Sequence, residues 1–499
     1  MFATFMEVLD TTVVNVSLPH IAGNLSATID ESTWVLTSYL VANAIVLPAA
    51  GWLAGTFGRK RLLITCVSIF TLASLWAGAA TSLPMMVIAR VLQGLGGGAL
   101  QPLAQAVLLE SFPPEKRGAA MAVYGMGVVV APIVGPTLGG FITDNYTWRW
   151  IFYINLPIGI LAFAMISTFV EDPPYIRSLA PRRIDYLGFG LMALWLGTLQ
   201  LVLDKGQQDD WFAATWIRWA ALVSALAFIG FIVRELRTSE PIVDLRILRD
   251  RNFAVGLGLI AIMGAVLYGS IALLPLFLQT VMDYPPLQSG LALSPRGVGA
   301  LASMVVVGRL VARMDTRYMI ATGFTILALA TYMLSHLTLD VAMRNITVPN
   351  VVAGFALGFI FVPLTTTAMG TLRNEQIGGA TGLFNLMRNI GGSVGIAVVT
   401  TLLARTSQRD HALLVGNLSP DNPVYQDVYR ALRGALAPDV GAAAGDQANA
   451  ILYQLLLRQV ALLSYVENFR LIAVVCLACV PLVFLFRRVR ASRGPIAAH

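Results

Sequence analysis

The chain is a succession of apolar runs separated by short polar breaks. Charge-free or nearly charge-free stretches fall at about 1–20, 33–55, 62–81, 84–109, 118–142, 150–170, 186–203, 216–233, 253–280, 287–308, 318–338, 347–372, 377–404 and 470–486. Most approach the ~20 apolar residues that carry a helix across the hydrocarbon core of a bilayer. With no water there, each backbone N–H and C=O must be bonded within its own helix. The pattern predicts fourteen transmembrane helices and an all-α integral membrane protein.

An even number of spans puts both termini on one side. With the N-terminus inside, the short inner segments hold basic residues from Arg59, Lys60 and Arg61 through Arg177, Arg182 and Arg183 to Arg487, Arg488, Arg490 and Arg493. The opposite short loops hold only Arg149, Lys205, Arg218 and Arg344. The positive-inside rule therefore places both ends in the cytoplasm. The first apolar run starts at Met1 with no basic leader, which suggests that the natural helix begins earlier. One long extramembrane segment, 405–469, should face outward. Pro420, Pro423, Pro438 and the run from Gly441 to Gly445 predict loop with short helical pieces, whereas Ile451, Leu452, Leu455, Leu456 and Leu463 keep a helical rhythm. That rhythm suits an outward extension of the last span or a docking surface for a partner protein.

Composition supports a membrane class. Hydrophobic residues make up 57% and charged residues 12%, about half the charged share of soluble proteins, and the mean hydropathy is +0.73. The net charge of +7 sits in short loops rather than in a basic domain, so nucleic acid is not indicated as a partner. Cys66, Cys476 and Cys479 lie in apolar runs, and the four histidines show no ligand spacing, so neither a disulfide framework nor a metal site is expected. No Gly-x-x-x-x-Gly-Lys-Ser/Thr loop and no nucleophile constellation is present, which argues against ATP hydrolysis in this chain and against an enzyme.

The chemistry is expected from the few polar residues within spans. Asp10 lies in the first span, where a bare carboxylate costs roughly 2.5–3.5 kcal/mol. It must face a cavity or a partner, either as a proton carrier, since burial suits it to load and release a proton, or as a structural hydrogen-bond anchor. Glu7 lies one turn earlier and about 60° around the helix, while Ser17 lies two turns on and about 20° away, giving a polar stripe with Asn15 alongside. Glu7 is a second candidate for proton coupling and is expected nearer the membrane edge. In the fourth span Arg90 shares a face with Gln93, Gly97 and Gln101; a permanent cation there suits an aqueous cavity beside an acid. Arg296 in the tenth span and Arg388 in the thirteenth, with Asn385 one turn before it, form a second polar patch open to substrate. Pro132, Gly135, Pro136, Gly139 and Gly140 predict close helix packing, either as a rigid kink or as a hinge. Trp148, Trp150 and Phe152 predict an interfacial aromatic belt.

The segment from Gly51 through Gly58 and Arg59 to Lys60 has a weak partner in 308–317, as a duplicated six-helix unit would produce. Several stretches then resemble a known family. They are Leu9-Asp-Thr-Thr-Val-Val-Asn-Val-Ser-Leu-Pro19, Arg90-Val-Leu-Gln-Gly-Leu-Gly-Gly-Gly98, Ala131-Pro-Ile-Val-Gly-Pro-Thr-Leu-Gly-Gly140, Trp148-Arg-Trp-Ile-Phe-Tyr-Ile-Asn-Leu-Pro157, Leu199-Gln-Leu-Val-Leu-Asp-Lys-Gly206 and Pro241-Ile-Val-Asp-Leu245. Six motifs in order resemble the fourteen-span drug:proton antiporters of the major facilitator superfamily, EmrB/QacA type and most closely EmrB. Gly55 departs from that pattern, which usually carries aspartate there.

The resemblance implies the major facilitator fold: a six-helix bundle at 1–170, two inserted helices at 171–252 and a second bundle at 253–499. It also implies proton-driven export of hydrophobic or amphipathic compounds by alternating access, with no cofactor, from the inner membrane of a double-membrane bacterium. Partners would be a periplasmic adaptor of the EmrA type and an outer-membrane channel of the TolC type. Two other functions stay open: export of one metabolite, such as a siderophore or a fatty acid, and a non-transporting membrane sensor or scaffold.

Overall fold

A computed structural model describes residues 1–173, 185–238, 240–311 and 313–487. Among them the chain is helical, without strands. Arg177, Arg182, Arg183, Arg488, Arg490 and Arg493, counted for the orientation, lie outside the described residues.

The main helices are α1 (Phe2–Asn24), α2 (Trp34–Phe57), α3 (Arg59–Gly78), α4 (Leu83–Gly97), α5 (Leu100–Ser111), α6 (Pro114–Asn145), α7 (Asn155–Phe169), α8 (Tyr186–Lys205) and α9 (Thr215–Arg237). They continue with α10 (Arg251–Thr280), α11 (Pro286–Leu293), α12 (Pro295–Leu310), α13 (Thr316–Leu334), α14 (Met343–Met369), α15 (Asn374–Leu414), α16 (Pro423–Val440) and α17 (Ala444–Val483). Several begin on side-chain caps: Asp250 accepts from the Phe253 amide at 2.8 Å and Asn422 from the Val424 amide at 3.0 Å, satisfying orphan donors of the first turn.

Among the described residues twelve helical stretches are long and apolar enough to span a bilayer, and a thirteenth is reached if the bent α6 is one span. The expected count was fourteen. The difference lies in α1, which carries Glu7, Asp10, Asn15 and Ser17 within its 23 residues and is not among those stretches. The chain is a multi-pass membrane protein. Its outermost helix shows why: Trp219, Leu226 and Ile229 of α9 are largely exposed, a surface that only lipid covers without penalty.

Residues 405–469 differ from the expectation of loop with short helical pieces. α15 runs on to Leu414, α16 fills Pro423–Val440, and α17 continues unbroken from Ala444 into the last span. Pro423 stands in the first turn of α16, where its missing N–H leaves nothing unbonded. Pro438 sits in the last turn, with Gly434 at the position its ring would crowd. Arg409 pairs with Glu467 at 2.6 Å, tying α15 to α17.

Packing is densest in two groups: α1, α2, α3, α4, α6 and α7, with α5 continuing the stretch of α4, and then α10 and α12 through α15 with α17. α8 and α9 pair with each other, and α8 rests on α2 and α15. The two groups meet along α2 with α15 and α6 with α12. At the first seam Gly51 lies against the backbone of Gly378, so closely that a Cβ would come within 2.6 Å of it. Within the second group Gly264, Gly391 and Gly395 bring α10 and α15 together backbone to backbone, the small-residue contact expected where no hydrophobic effect drives helices together.

That contact sets a test. A branched side chain in Gly391→Val meets the carbonyl of Ala261 and should cost about 1–3 kcal/mol by overpacking. It should appear as a lower melting temperature of the detergent-solubilised protein, while Gly416→Val, with open space around it, leaves the melt unchanged.

Candidate functional site

The first helix turns its acidic residues inward. Asp10 is 1% exposed and Arg90 of α4 is fully buried. Arg90 Nη1 donates to Asp10 Oδ2 at 2.5 Å and to Gln93 Oε1 at 2.7 Å, and its Nε donates to the Val35 carbonyl at 3.0 Å. Asp10 Oδ1 accepts from Gln93 Nε2 at 2.9 Å and from Asn155 Nδ2 at 2.7 Å. Asn155 also donates to Ser74 Oγ, which in turn bonds the Phe152 carbonyl. The Arg90 guanidinium lies 4.3 Å from the Tyr39 ring centroid and 5.8 Å from that of Phe152. The pair is thus neutralised, bonded on both sides and closed to water, as a buried ion pair must be.

Glu7 stands apart from that pair. The sequence suggested a place near the membrane edge, but Glu7 is 3% exposed because α1 packs along α6 and α7 and touches α2 and α5. It accepts from Asn43 Nδ2 at 3.0 Å, from the Tyr39 hydroxyl at 3.4 Å and from Gln101 Nε2. The Gln101 carbonyl oxygen accepts from Arg388 Nη2 on the opposite helix group. One amide therefore stands between a carboxylate of α1 and a guanidinium of α15. Beside it Asn385 Nδ2 donates to Gln105 Oε1 at 2.6 Å, a second polar contact between the groups.

Arg388 also reaches the centre. A cavity of about 20 Å³ there is lined by Pro132, Leu267, Tyr268, Phe361, Arg296 and Arg388 among others, space for about one water molecule. A drug-sized ligand needs roughly 300 Å³ or more, so it enters only after the helices part. Arg296 is buried, and its Nη2 donates to Ser270 Oγ at 3.1 Å.

The remaining sequence-selected residues fall elsewhere. Ser17 bonds Thr143 Oγ1 at 2.7 Å on α6, and Asn15 is exposed, donating to the Thr11 carbonyl. α6 bends by 40° between Pro132 and Val134. Past the bend a Cβ at Gly135 would strike Thr12, and one at Gly139 would come within 2.9 Å of the Val13 carbonyl, so this run is where α6 lies against α1; at Gly140 the nearest atom is Val16 Cγ1, 3.8 Å away. Gly58, with φ +86°, turns the chain between α2 and α3, the conformation glycine adopts without strain. Next to it Arg59 is clamped by Glu110 at 2.6 and 2.8 Å, and the Lys60 amide is bonded by Asp172. Only Trp150 of the expected aromatic belt faces outward; Trp148 and Phe152 are buried, Phe152 beneath Arg90.

Sequence reasoning missed Tyr39, Asn43, Gln105, Asn155, Glu110 and Asp172. The signal for Asn43, Gln105 and Asn155 was an amide within an apolar run, where every polar group needs a partner.

Comparison with known proteins agrees with this architecture. A family model described as Major Facilitator Superfamily matches residues 1–396. The multidrug export protein EmrB of Escherichia coli (strain K12) is 38% identical over 434 residues, covering 87% of this chain and 84% of that protein. The fatty acid resistance protein FarB of Neisseria gonorrhoeae is 38% identical over 419 residues, covering 84% and 82%. The crystal structure of the human organic anion transporter MFSD10 superposes with a TM-score of 0.59 at 13% identity, over 95% of this chain and 98% of that one, a likeness of fold alone.

The two acids should respond differently to neutralisation. Asp10→Asn strands the buried Arg90 without a counter-ion and should cost about 3–5 kcal/mol. Glu7→Gln breaks no direct ion pair and should cost about 1 kcal/mol. Thermal unfolding of the purified proteins reads the difference: Asp10→Asn melts well below Glu7→Gln.

Proposed function

Because the chain belongs to the major facilitator superfamily, we propose that it exports hydrophobic or amphipathic compounds by proton antiport, with Glu7 as the group that carries the proton. The supporting observation is the contrast between the two acids of α1. Protonating Asp10 would strip the counter-ion from a fully buried Arg90. Protonating Glu7 would break no direct ion pair, since its partners are two amides and a hydroxyl. Asp10 and Arg90 then serve as the fixed anchor of α1, Gln93 orients them, and Gln101 carries the protonation state of Glu7 to Arg388.

In this cycle the outer side loads Glu7 with a proton. The neutral acid weakens the charge-assisted bond to Gln101, and with it the hold of Gln101 on Arg388 across the seam. The helix groups then part on the side where α2 ends and α15 begins, the proton leaves inward and substrate is taken up. One charge crossing 100 mV is worth roughly 2.3 kcal/mol and a tenfold gradient about 1.4 kcal/mol, so one proton sustains somewhat under two decades of accumulation for a neutral compound.

The relatives named EmrB support the multidrug reading. On that basis the protein sits in the inner membrane with both termini in the cytoplasm and works with a periplasmic adaptor of the EmrA type and a channel of the TolC type. The two helices outside the span region, α16 and the start of α17, are the part that would meet an adaptor. A narrower substrate range is the second reading, favoured by the similarity to a protein named for fatty acid resistance. Family membership speaks against a sensor or scaffold.

The test is dye efflux from proteoliposomes driven by an imposed proton gradient. Glu7→Gln should abolish uphill efflux, by at least tenfold, while gradient-free exchange of the dye continues at more than half the normal rate. Uphill efflux at the normal rate by Glu7→Gln would remove Glu7 from the mechanism. A second expectation concerns the seam: Gln101→Leu, which can neither donate to Glu7 nor accept from Arg388, should uncouple in the same assay, leaking protons without moving dye.

A further inference from the structure

We infer that a cleft at the end of α8 holds the headgroup of a phospholipid with a primary amine, its ammonium against Glu31 and Asp209 and its phosphate against Lys205. The cleft measures about 510 Å³ and is lined by Glu31, Trp34, Lys205, Gln208, Asp209 and Trp216. Small-ligand sites start at roughly 300 Å³, so a headgroup fits without rearrangement. The cleft lies where α8 ends and where α9 and α2 begin, and none of its residues lines the central cavity. It therefore stands independently of the export reading.

The lining carries both signs of charge. Lys205 is 8% exposed, and its Nζ donates to Thr33 Oγ1 and, at 2.9 Å, to Gln208 Oε1, which leaves one of the three ammonium protons for a ligand. Glu31 Oε2 accepts from the Thr28 amide at 2.8 Å, and Asp209 Oδ2 accepts from Trp216 Nε1 at 3.0 Å. Each carboxylate is exposed and keeps its second oxygen for a ligand. A simple anion would meet two carboxylates and a simple cation would meet the lysine, whereas a zwitterion of phosphate and amine finds a partner at each end. A primary ammonium donates hydrogen bonds to the carboxylate oxygens; a quaternary one has none to donate.

The neighbouring surface makes the occupant a lipid. Trp216, Trp219, Leu222, Leu226 and Ile229 are all exposed and recur every three or four residues, so one stripe of α9 runs from the cleft along the helix. Acyl chains have that stripe to lie on while the headgroup stays level with Trp34 and Trp216, the depth at which indoles sit in a membrane interface. The walls are already fixed: Glu31 is held in a capping box with Thr28, Lys205 by Thr33 and Gln208, and Trp216 by Asp209. Binding therefore costs little ordering. A lipid seated there joins the segment before α2 to the α8–α9 pair, adding to the bonds of Lys205 with Thr33 and of Thr37 with Asp204.

The test adds dioctanoyl phosphatidylethanolamine, phosphatidylcholine or phosphatidylglycerol to the detergent-purified full chain and counts retained lipid by native mass spectrometry. The ethanolamine lipid should bind about tenfold more tightly than either of the others, the worth of one charge-assisted hydrogen bond. Glu31→Gln combined with Asp209→Asn should bring it level with the choline lipid, while Asp427→Asn on α16 leaves the ranking unchanged. Lys205→Gln should weaken the ethanolamine and choline lipids by the same factor, through their common phosphate. Equal retention of the three lipids by the unaltered protein would overturn the proposal without recourse to any variant. So would an ethanolamine preference that survives the double substitution. Glycerophosphoethanolamine displacing the lipid at equal concentration would make the ligand a soluble ester and overturn the lipid assignment, and tighter binding of dodecyltrimethylammonium would make this a cation site instead.

Discussion

A carboxylate and a guanidinium from opposite halves of the molecule meet through one side-chain amide, and much of the interior is arranged around that contact. Glu7 receives the Gln101 amino group, and the carbonyl of the same amide receives Arg388. An amide can donate and accept at once, so it transmits a change of charge on one side as a change of bond strength on the other. In a medium of low dielectric such a bond is strong while made and costly when broken. Beside it, α15 meets α2 in glycine contacts and meets α5 in the Gln105 to Asn385 bond, neither of which responds to pH.

The other buried pair has the opposite character. Asp10 and Arg90 are joined directly and braced by Gln93, Asn155 and the Val35 carbonyl, with Tyr39 and Phe152 closing the guanidinium off. Such a cluster favours one position of α1 over all others. Tyr39 touches both systems, with its ring against Arg90 and its hydroxyl toward Glu7, so Glu7 is seated beside the Asp10–Arg90 pair. The bend of α6 at Pro132 and its glycine face against α1 carry this arrangement to the wall of the cavity.

The membrane fold and most charged positions were legible in the sequence, because apolar run length and the cost of an intramembrane charge are local properties. The motifs around Asp10, Arg90 and Pro132 were legible for the same reason. The depth of Glu7 was not: three residues from Asp10 on a helix that starts at Phe2, it reads as near an edge, and only packing against α2 and α5 makes it central. Trp148 and Phe152 read as interfacial until Arg90 is seen above one of them. The amides Asn43, Gln105 and Asn155 were overlooked because they carry no charge, although burial makes them as demanding of partners. The helices of residues 405–469 were obscured by Pro423 and Pro438, which stand in the first and last turns of α16. Arg296 and Arg388 were visible as polar residues, but that neither faces an acid directly is a fact of three dimensions.

The most direct measurement is the distance across the seam as a function of pH. Spin labels at Phe57→Cys and Glu375→Cys, both exposed at the ends of α2 and α15, would be placed in a chain with Cys66, Cys476 and Cys479 replaced by serine. If Glu7 governs the contact, pulsed electron resonance should show the distance lengthening on acidification. The same chain carrying Glu7→Gln should show the longer distance at every pH. A pH-dependent separation that survives Glu7→Gln unchanged would contradict the account and place the coupling group elsewhere.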